Sequence, residues 1–329
     1  MSENLIITRQ RETSLLEIRN LKAYYMLSKG FVKAVDGVDL SVRKSEIVGL
    51  AGESGCGKST IAFSILRILP QNGKIVDGSI LFEDKNIVAM SEDEIGKVRW
   101  KEISIIFQGA MNALNPVRTI EDQITEAILE HEEITEEKAL DRSRELLRLV
   151  GIDSSRGRDY PHEFSGGMKQ RAVIAMALAC NPKLVIADEP TMALDVMVQA
   201  QILDLIKKLK EKLKLSVLLI SHDLSMIAEN CDKVSIMYAG KIVESAEVEK
   251  LFTSPFHPYT KALMRAIPKI DEKNRELLYI SGAPPNLVNP PPGCRFHPRC
   301  KYAKEICRKK EPKLFQVEKE HYVACHLIN

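Results

Sequence analysis

The sequence predicts an α/β protein, and three buried strands with polar ends predict it. Ile47 to Ala51 is a short apolar run that leads through a glycine-rich loop, Gly52 to Ser59, into a helical pattern at Ile61, Phe63, Ile65, Leu66 and Ile68. Leu184 to Ala187 is a second apolar run, stopping at Asp188-Glu189-Pro190. Ser216 to Ile220 is a third, closed by Ser221-His222-Asp223. Short apolar strands alternating with helical periodicity belong to sheets covered by helices, and such sheets place their chemistry at strand ends.

In chain order, Leu16 to Leu21 and Val38 to Val42 read as strands on either side of a loop, Tyr24 to Lys33, that holds two tyrosines and Gly30. The first landmark is Gly52-Glu-Ser-Gly-Cys-Gly-Lys-Ser59, a complete G-x-x-x-x-G-K-S pattern between a strand and a helix. Gly52, Gly55 and Gly57 permit a tight turn that bulkier residues block. The loop amides and the helix N-terminus favour an anion, Lys58 reaches terminal phosphates, and Ser59 offers an oxygen to Mg²⁺. By itself the loop says that the protein binds a nucleoside triphosphate.

Ile80-Leu-Phe82 reads as another strand, and Ile103 to Phe107 as a β-branched one ending at Gln108. From Met111 to His162 the pattern turns helical, with Ile120, Ile124, Ala127 and Ile128, then Leu146, Leu147 and Val150, and Gly151 as a C-cap. This predicts a helical subdomain over about 110–165, inserted between strands. Ser165-Gly-Gly-Met168 follows; Ser165 suits an N-cap and the glycines leave amides open to an anion, a weak signal when it stands alone. Asp188 and Glu189 are costly at the end of a buried strand without a cation or water. Asp188 suits Mg²⁺, and Glu189 suits a general base that polarises an attacking water. His222 ends a strand of the same sheet, where an imidazole reaches a γ-phosphate. Asp195 precedes a helix with Ile202, Leu205, Ile206 and Leu209 on one face, and Val234 to Met237 with Lys241 to Val243 forms a hairpin over Ala239-Gly240.

Composition narrows the function classes. A chain of 329 residues, 45% hydrophobic, predicts one large domain and a smaller one. A net charge of +2 gives no global case for nucleic acid. No apolar run reaches the roughly 18 residues of a membrane span, and the polar start, Met1 to Ser14, lacks the features of a signal peptide. A cytoplasmic protein is expected, with its seven cysteines reduced.

In this order, Gly52–Ser59, Gln108, Ser165-Gly-Gly-Met168, Asp188-Glu189, Asp195 and His222 resemble the motifs of the ATPase subunits of ABC transporters, over roughly residues 14 to 245. The resemblance implies a P-loop ATPase with a RecA-like core, an antiparallel β subdomain and the inserted helical subdomain. It implies that two such domains, identical or different, sandwich two ATP molecules head to tail. Each ATP then lies between one chain's phosphate loop and the other's Ser165, Gly166, Gly167 and Met168. By the same resemblance Gly52, Ser54, Gly55, Cys56, Gly57, Lys58, Ser59 and Thr60 surround the phosphates, with Asp188 at Mg²⁺. Tyr25, rather than Tyr24, stacks on adenine. Glu189 is the base, Gln108 contacts the metal or the attacking water and reports to the membrane partner, His222 holds the γ-phosphate, and Asp195 communicates across the dimer. Two positions depart from the pattern: Met168 replaces a frequent glutamine, and Met192 a common threonine.

Beyond about Ser245 the composition changes, and 246–329 reads as a C-terminal extension. Phe256-His-Pro-Tyr259 precedes a helical patch, Leu263 to Ile267, and Pro284-Pro285 with Pro290-Pro-Pro292 makes a stiff linker. Lys and Arg then outnumber Asp and Glu, which reads as solvated surface around a metal site. Cys294, Cys300, Cys307 and Cys325 are spaced C-x5-C-x6-C-x17-C. In a segment too small for a strong core, four thiols suggest a metal staple. The tight C-x2–4-C knuckles of zinc sites are missing while iron–sulfur sites accept wider spacings, so spacing leaves both open. His297, His321 and His326 are substitute ligands, Cys180 and Cys231 core fillers.

Phe256-His-Pro-Tyr259, Gly282-Ala-Pro-Pro285, Gly293-Cys-Arg-Phe296 and Val323-Ala-Cys-His-Leu327 resemble the tail of oligopeptide/dipeptide importer ATPases. In members with four cysteines that tail implies a [4Fe–4S] cluster. The resemblance further implies a peripheral subunit on the cytoplasmic face of the cell membrane that hydrolyses ATP to import di- or oligopeptides. Its partners would be a second ATPase subunit, two transmembrane permease subunits and, indirectly, an extracellular or periplasmic solute-binding protein, with no nucleic acid. An importer of another solute such as nickel is one alternative. Another is an ABC-type ATPase acting on nucleic acid or ribosomes, but 111–162 is too short and too weakly heptad-like for the long coiled coil such proteins tend to carry. Cys56, beside bound phosphates at a helix N-terminus, is expected to be shielded from alkylation by ATP.

Overall fold

A computed structural model describes residues 14–28, 30–109, 113–266 and 280–328. The polar start up to Thr13, Ala110 and Met111 at the head of the expected helical span, and Ile267 lie outside them. The chain divides into two compact units, one of Met1–Val42, Ile47–Val88 and Ile220–Asn329, the other of Arg43–Glu46 and Ala89–Leu219.

The first unit opens with β1 (Ser14–Leu27) and β2 (Gly30–Arg43), longer than the apolar runs suggest. The loop expected over Tyr24 to Lys33 is strand for most of its length. The fully buried β3 (Ile47–Ala51) enters the glycine loop, and α1 (Lys58–Ile65) leaves it. After β4 (Gly73–Phe82) and the short β5 (Lys85–Asn86), a four-stranded sheet is complete in the order β2-β1-β4-β5. β1 and β4 are antiparallel with Tyr24 opposite Lys74 and Tyr25 opposite Gly73, and this pairing carries the strand through both tyrosines.

The second unit begins with α2 (Glu92–Val98), whose capping box joins Ser91 and Glu94. β6 (Ile103–Ile106) follows, and then three helices: α3 (Ile120–His131), α4 (Glu136–Leu149) and α5 (Gly166–Ala177). Thr119 and Thr135 cap α3 and α4, accepting N–H bonds from Asp122 and Lys138. Gly151, at φ 79°, ends α4 as its sequence position predicts. Between α4 and α5 the chain forms short 3₁₀ turns, Ser154–Arg158 and Pro161–Glu163, so the expected helical span is interrupted before His162. β7 (Leu184–Asp188) is buried throughout and lies parallel to β6. α6 (Val196–Leu213) buries Ile202, Leu205, Ile206 and Leu209, the face read from the sequence. β8 (Ser216–Ser221) starts in this unit and completes the order β8-β7-β6.

Back in the first unit, α7 (Leu224–Asn230) precedes β9 (Lys233–Tyr238) and β10 (Lys241–Glu247). These two form the expected hairpin, with Ala239 and Gly240 at φ 47° and 83°, as its two-residue turn requires. α8 (Val248–Thr253) and α9 (Pro258–Ala266) come next, and α9 starts inside the His-Pro-Tyr motif rather than after it. The end of the chain adds α10 (Glu305–Lys309), β11 (Phe315–Glu318) and β12 (His321–Val323). The strand order here is β11-β12-β10-β9-β3, with β9 parallel to β3. The sequence puts a boundary near Ser245, yet Glu244 and Ser245 pair with Val323 and Tyr322, so the extension continues the sheet. Among the described residues no helix is long and apolar enough to cross a membrane.

Candidate functional site

The glycine loop belongs to the first unit, and backbone packing sets its shape. A Cβ on Gly52 would stand 2.1 Å from Met237 O, and one on Gly57 2.0 Å from Ala34 O, at φ +155° and +111°. Side chains are excluded there. Gly55, at φ +77°, faces open space, and Ser54 and Gly55 are exposed. Lys58 is buried and donates from Nζ to Gly52 O at 2.7 Å and Glu53 O at 3.1 Å, which holds the ammonium against the loop. Gly57 caps α1 without a side-chain hydrogen bond. Ser59 is half-buried. A cradle of free-facing backbone, one cation and a hydroxyl fits a polyphosphate with Mg²⁺, a cation that takes oxygen ligands.

Tyr25 stands at this loop, its hydroxyl 3.1 Å from Thr60 Oγ1 and its ring against Gly73. Tyr24 donates instead to Asp36 at 2.5 Å, and burial with that carboxylate pushes its phenol above the usual range. Cys56 is packed into the loop. Its thiol is only 5% exposed and is turned inward toward Gly52 and Lys58, and burial pushes it up despite the lysine. His222, exposed at the end of β8, also belongs to this unit, beside the Asp223 cap of α7.

The second unit holds the remaining motif residues. Ser165 accepts the Met168 N–H and caps α5. A Cβ on Gly167 would meet Val198 Cγ1 at 2.8 Å, so a side chain at the second glycine of Ser165-Gly166-Gly167 would have to displace Val198 of α6. Asp188 is 1% exposed at the end of β7. Glu189 follows at φ 49°, a left-handed conformation that costs a non-glycine residue about 1 kcal/mol. Gln199 holds the next turn by donating to Thr191 O and Leu194 O. Asp195 caps α6 through the Val198 N–H, a local role beside the communication expected of it. Gln108 is exposed and donates to Met192 Sδ at 3.0 Å, so the methionine that departs from the family pattern touches a motif residue.

The four C-terminal cysteines are brought together in the first unit. Burial, then the neighbouring Cys325, Cys307 and Cys300, pushes the Cys294 thiol up to about 11. The Cys307 sulfur accepts the Lys304 N–H at 3.4 Å. Such a bond favours the thiolate, the form that ligates metal. Yet among the described residues no group of three or more His, Cys, Asp or Glu side chains is placed to hold a metal ion, so the expected metal staple has no support in the structure. Four cysteines are the donor set that iron–sulfur clusters take. His321 Nε2 lies 2.8 Å from the buried Glu244, while its Nδ1 is buried without a hydrogen-bond partner. Cys180 is a buried filler as read, with its thiol pushed up to about 11, whereas Cys231 is only half-buried.

Three residues of consequence had no role assigned from sequence, although Glu53 lies in the phosphate-loop motif and Tyr259 closes the His-Pro-Tyr motif. Glu53, Tyr259 and Arg299 meet at the glycine loop, with Glu53 N donating to Tyr259 Oη at 3.1 Å and Arg299 paired to the Glu53 carboxylate. The nearest signal was the basic excess around the cysteines.

Comparison with known proteins agrees with this geometry. The family profile described as "ABC transporter" matches residues 35–192, and "Oligopeptide/dipeptide transporter, C-terminal region" matches 243–307. The oligopeptide transport ATP-binding protein AppD of Bacillus subtilis is 47% identical over 318 residues, 96% of this chain and 97% of that protein. The dipeptide transport ATP-binding protein DppD of Caldanaerobacter subterraneus is 40% identical over 95% of this chain and 97% of its own. Among solved structures, the ATP-binding cassette MJ0796, dimeric in a post-hydrolysis state with ADP and Pi, has a TM-score of 0.63 at 27% identity. It covers 71% of this chain and 98% of its own. The chain therefore belongs to the ATP-binding subunits of ABC transporters, in the oligopeptide/dipeptide transporter family.

Proposed function

We propose that this chain hydrolyses ATP to drive the import of di- or oligopeptides through a membrane transporter. The observation that carries the reading is an intact phosphate loop, with Lys58 held inside it, in a chain similar to peptide-transport ATP-binding proteins over nearly its whole length. Peptide, rather than nickel or another solute, rests on the names of those relatives and on the match of 243–307.

Lys58, the loop amides and Thr60 bind the phosphates, with Ser59 and Asp188 as the oxygen ligands of Mg²⁺, which neutralises developing charge. Tyr25 supports the adenine. Glu189 accepts the proton of a water whose oxygen attacks the γ-phosphorus, and the bond from that phosphorus to the ADP oxygen breaks. Gln108 orients the water, and His222 holds the γ-phosphate. Ser165 to Met168 serve the nucleotide of a second ATPase subunit, paired head to tail. Two permease subunits dock near Gln108 and the helical segment after it, and place the chain on the cytoplasmic face of the membrane. Cys294, Cys300, Cys307 and Cys325 hold a [4Fe–4S] cluster that cross-links the tail. Iron and acid-labile sulfide, about four of each per anaerobically purified chain, support that assignment; one zinc without sulfide rejects it.

The test of the whole reading is isolation of the intact complex from membranes. Permease subunits should co-purify and peptide should stimulate ATP hydrolysis, with Lys58→Ala abolishing it. Co-purified ribosomes or RNA, with no permease, would overturn it.

A further inference from the structure

Glu53 lies inside the phosphate loop, and every polar group it has is engaged. Its N–H donates to Tyr259 Oη at 3.1 Å, its carbonyl accepts Lys58 Nζ at 3.1 Å, and its carboxylate takes a two-pronged bond from Arg299 at 2.7 and 2.9 Å. Arg299 is itself fixed. Its side chain is 5% exposed, donates to Ile280 O and Ser281 O, and lies over the Tyr238 ring. A second arm reaches the loop from the neighbouring arginine. Arg295 binds Ala239 O and Asp36, and the adjoining Gly240 donates its N–H to Cys56 O at 2.8 Å. Each arginine is next in sequence to a clustered cysteine, Cys294 or Cys300.

We propose that Arg299 is a positioning residue for nucleotide: by fixing and neutralising Glu53, it lets the C-terminal extension set the affinity of the phosphate loop for ATP. The loop exists to hold a polyphosphate, and an uncompensated carboxylate within it repels that ligand. A guanidinium fork cancels the charge and fixes the backbone whose carbonyl holds Lys58. The proposal rests on the reading of Gly52–Ser59 as an ATP site, and the extension thereby acts on the site without touching the nucleotide.

The test is a titration of the full-length protein with fluorescent mant-ATP and Mg²⁺. Arg299→Gln removes the charge and should weaken binding about tenfold. Arg299→Lys keeps the charge without the fork and should lose less. Adding Glu53→Gln to Arg299→Gln should recover most of the affinity, because no carboxylate remains to repel. The loss should also shrink as salt rises, which a purely structural defect does not do. Thermal unfolding without nucleotide accompanies each titration, and if Arg299→Gln does not fold, Arg299→Lys with and without Glu53→Gln carries the comparison. Unchanged affinity in the single variant, or a loss that Glu53→Gln fails to recover, overturns the proposal. Failure of the wild-type protein itself to bind mant-ATP instead overturns the ATP reading.

Discussion

Gly57 shows how narrowly the loop is specified. With a Cβ only 2.0 Å from Ala34 O and a φ of +111°, Gly57→Ala must displace the backbone that positions Lys58. We expect it to weaken ATP binding at least a hundredfold, measured by mant-ATP titration beside a thermal unfolding curve. Near-wild-type affinity would show that the loop tolerates the shift. The glycine pattern was legible in sequence because only glycine suits such backbone. The direction of the Cys56 thiol was not, since a place at a helix entrance does not fix a rotamer, and packing beside Gly52 turns it inward. Its alkylation should therefore be at least tenfold slower than that of an unfolded control, with or without ATP, when the Cys56 peptide is followed by mass spectrometry. Fast labelling abolished by ATP would instead support the shielding expected from the sequence.

At the scale of elements, the His-Pro-Tyr segment at the start of α9 is tied to the sheet through Glu244. Burial opposes ionisation of Glu244, but bonds from His321 and the N–H groups of Phe256 and His257 hold it below the usual carboxylate range. His257 is buried, accepts the Tyr259 N–H at Nδ1, and is pushed down to about 4 by burial. The unfolded chain therefore binds more protons between about pH 6.5 and 4. Stability should be indifferent to this group above pH 6.5 and fall by about 1.4 kcal/mol per unit below it. Urea unfolding at stepped pH should show that slope in the wild type, and His257→Gln should lack it; equal slopes would remove His257 as the cause. The buried β3, β7 and β8 were readable because burial on both faces leaves their interiors without a polar interruption. β1 was cut short in the sequence because Tyr25 and Met26 break the alternation that pairing with β4 extends. β11 and β12 were missed because three or four residues are too few to establish a period, and the pairing of β12 with β10 and of β11 with β12 defines them.

At the scale of the molecule, the chemistry read from the sequence is distributed over both units, with Lys58 and His222 in the first and Gln108, Ser165, Asp188 and Glu189 in the second. Their order along the chain was legible because each motif ends or begins an element of its own. The attachment of the extension was not, because prolines and a composition change resemble a linker, while the bonds from Tyr259 and Arg299 to Glu53 arise only on folding. We propose that two such chains, or this chain and a related one, enclose ATP, which water then cleaves with Glu189 as the general base. The most direct measurement is the turnover and size of Glu189→Gln in Mg²⁺ and ATP. The account predicts at least a hundredfold loss of hydrolysis, undiminished ATP binding, and accumulation of an ATP-loaded dimer with its ATPase partner on size exclusion. Near-normal turnover would contradict it.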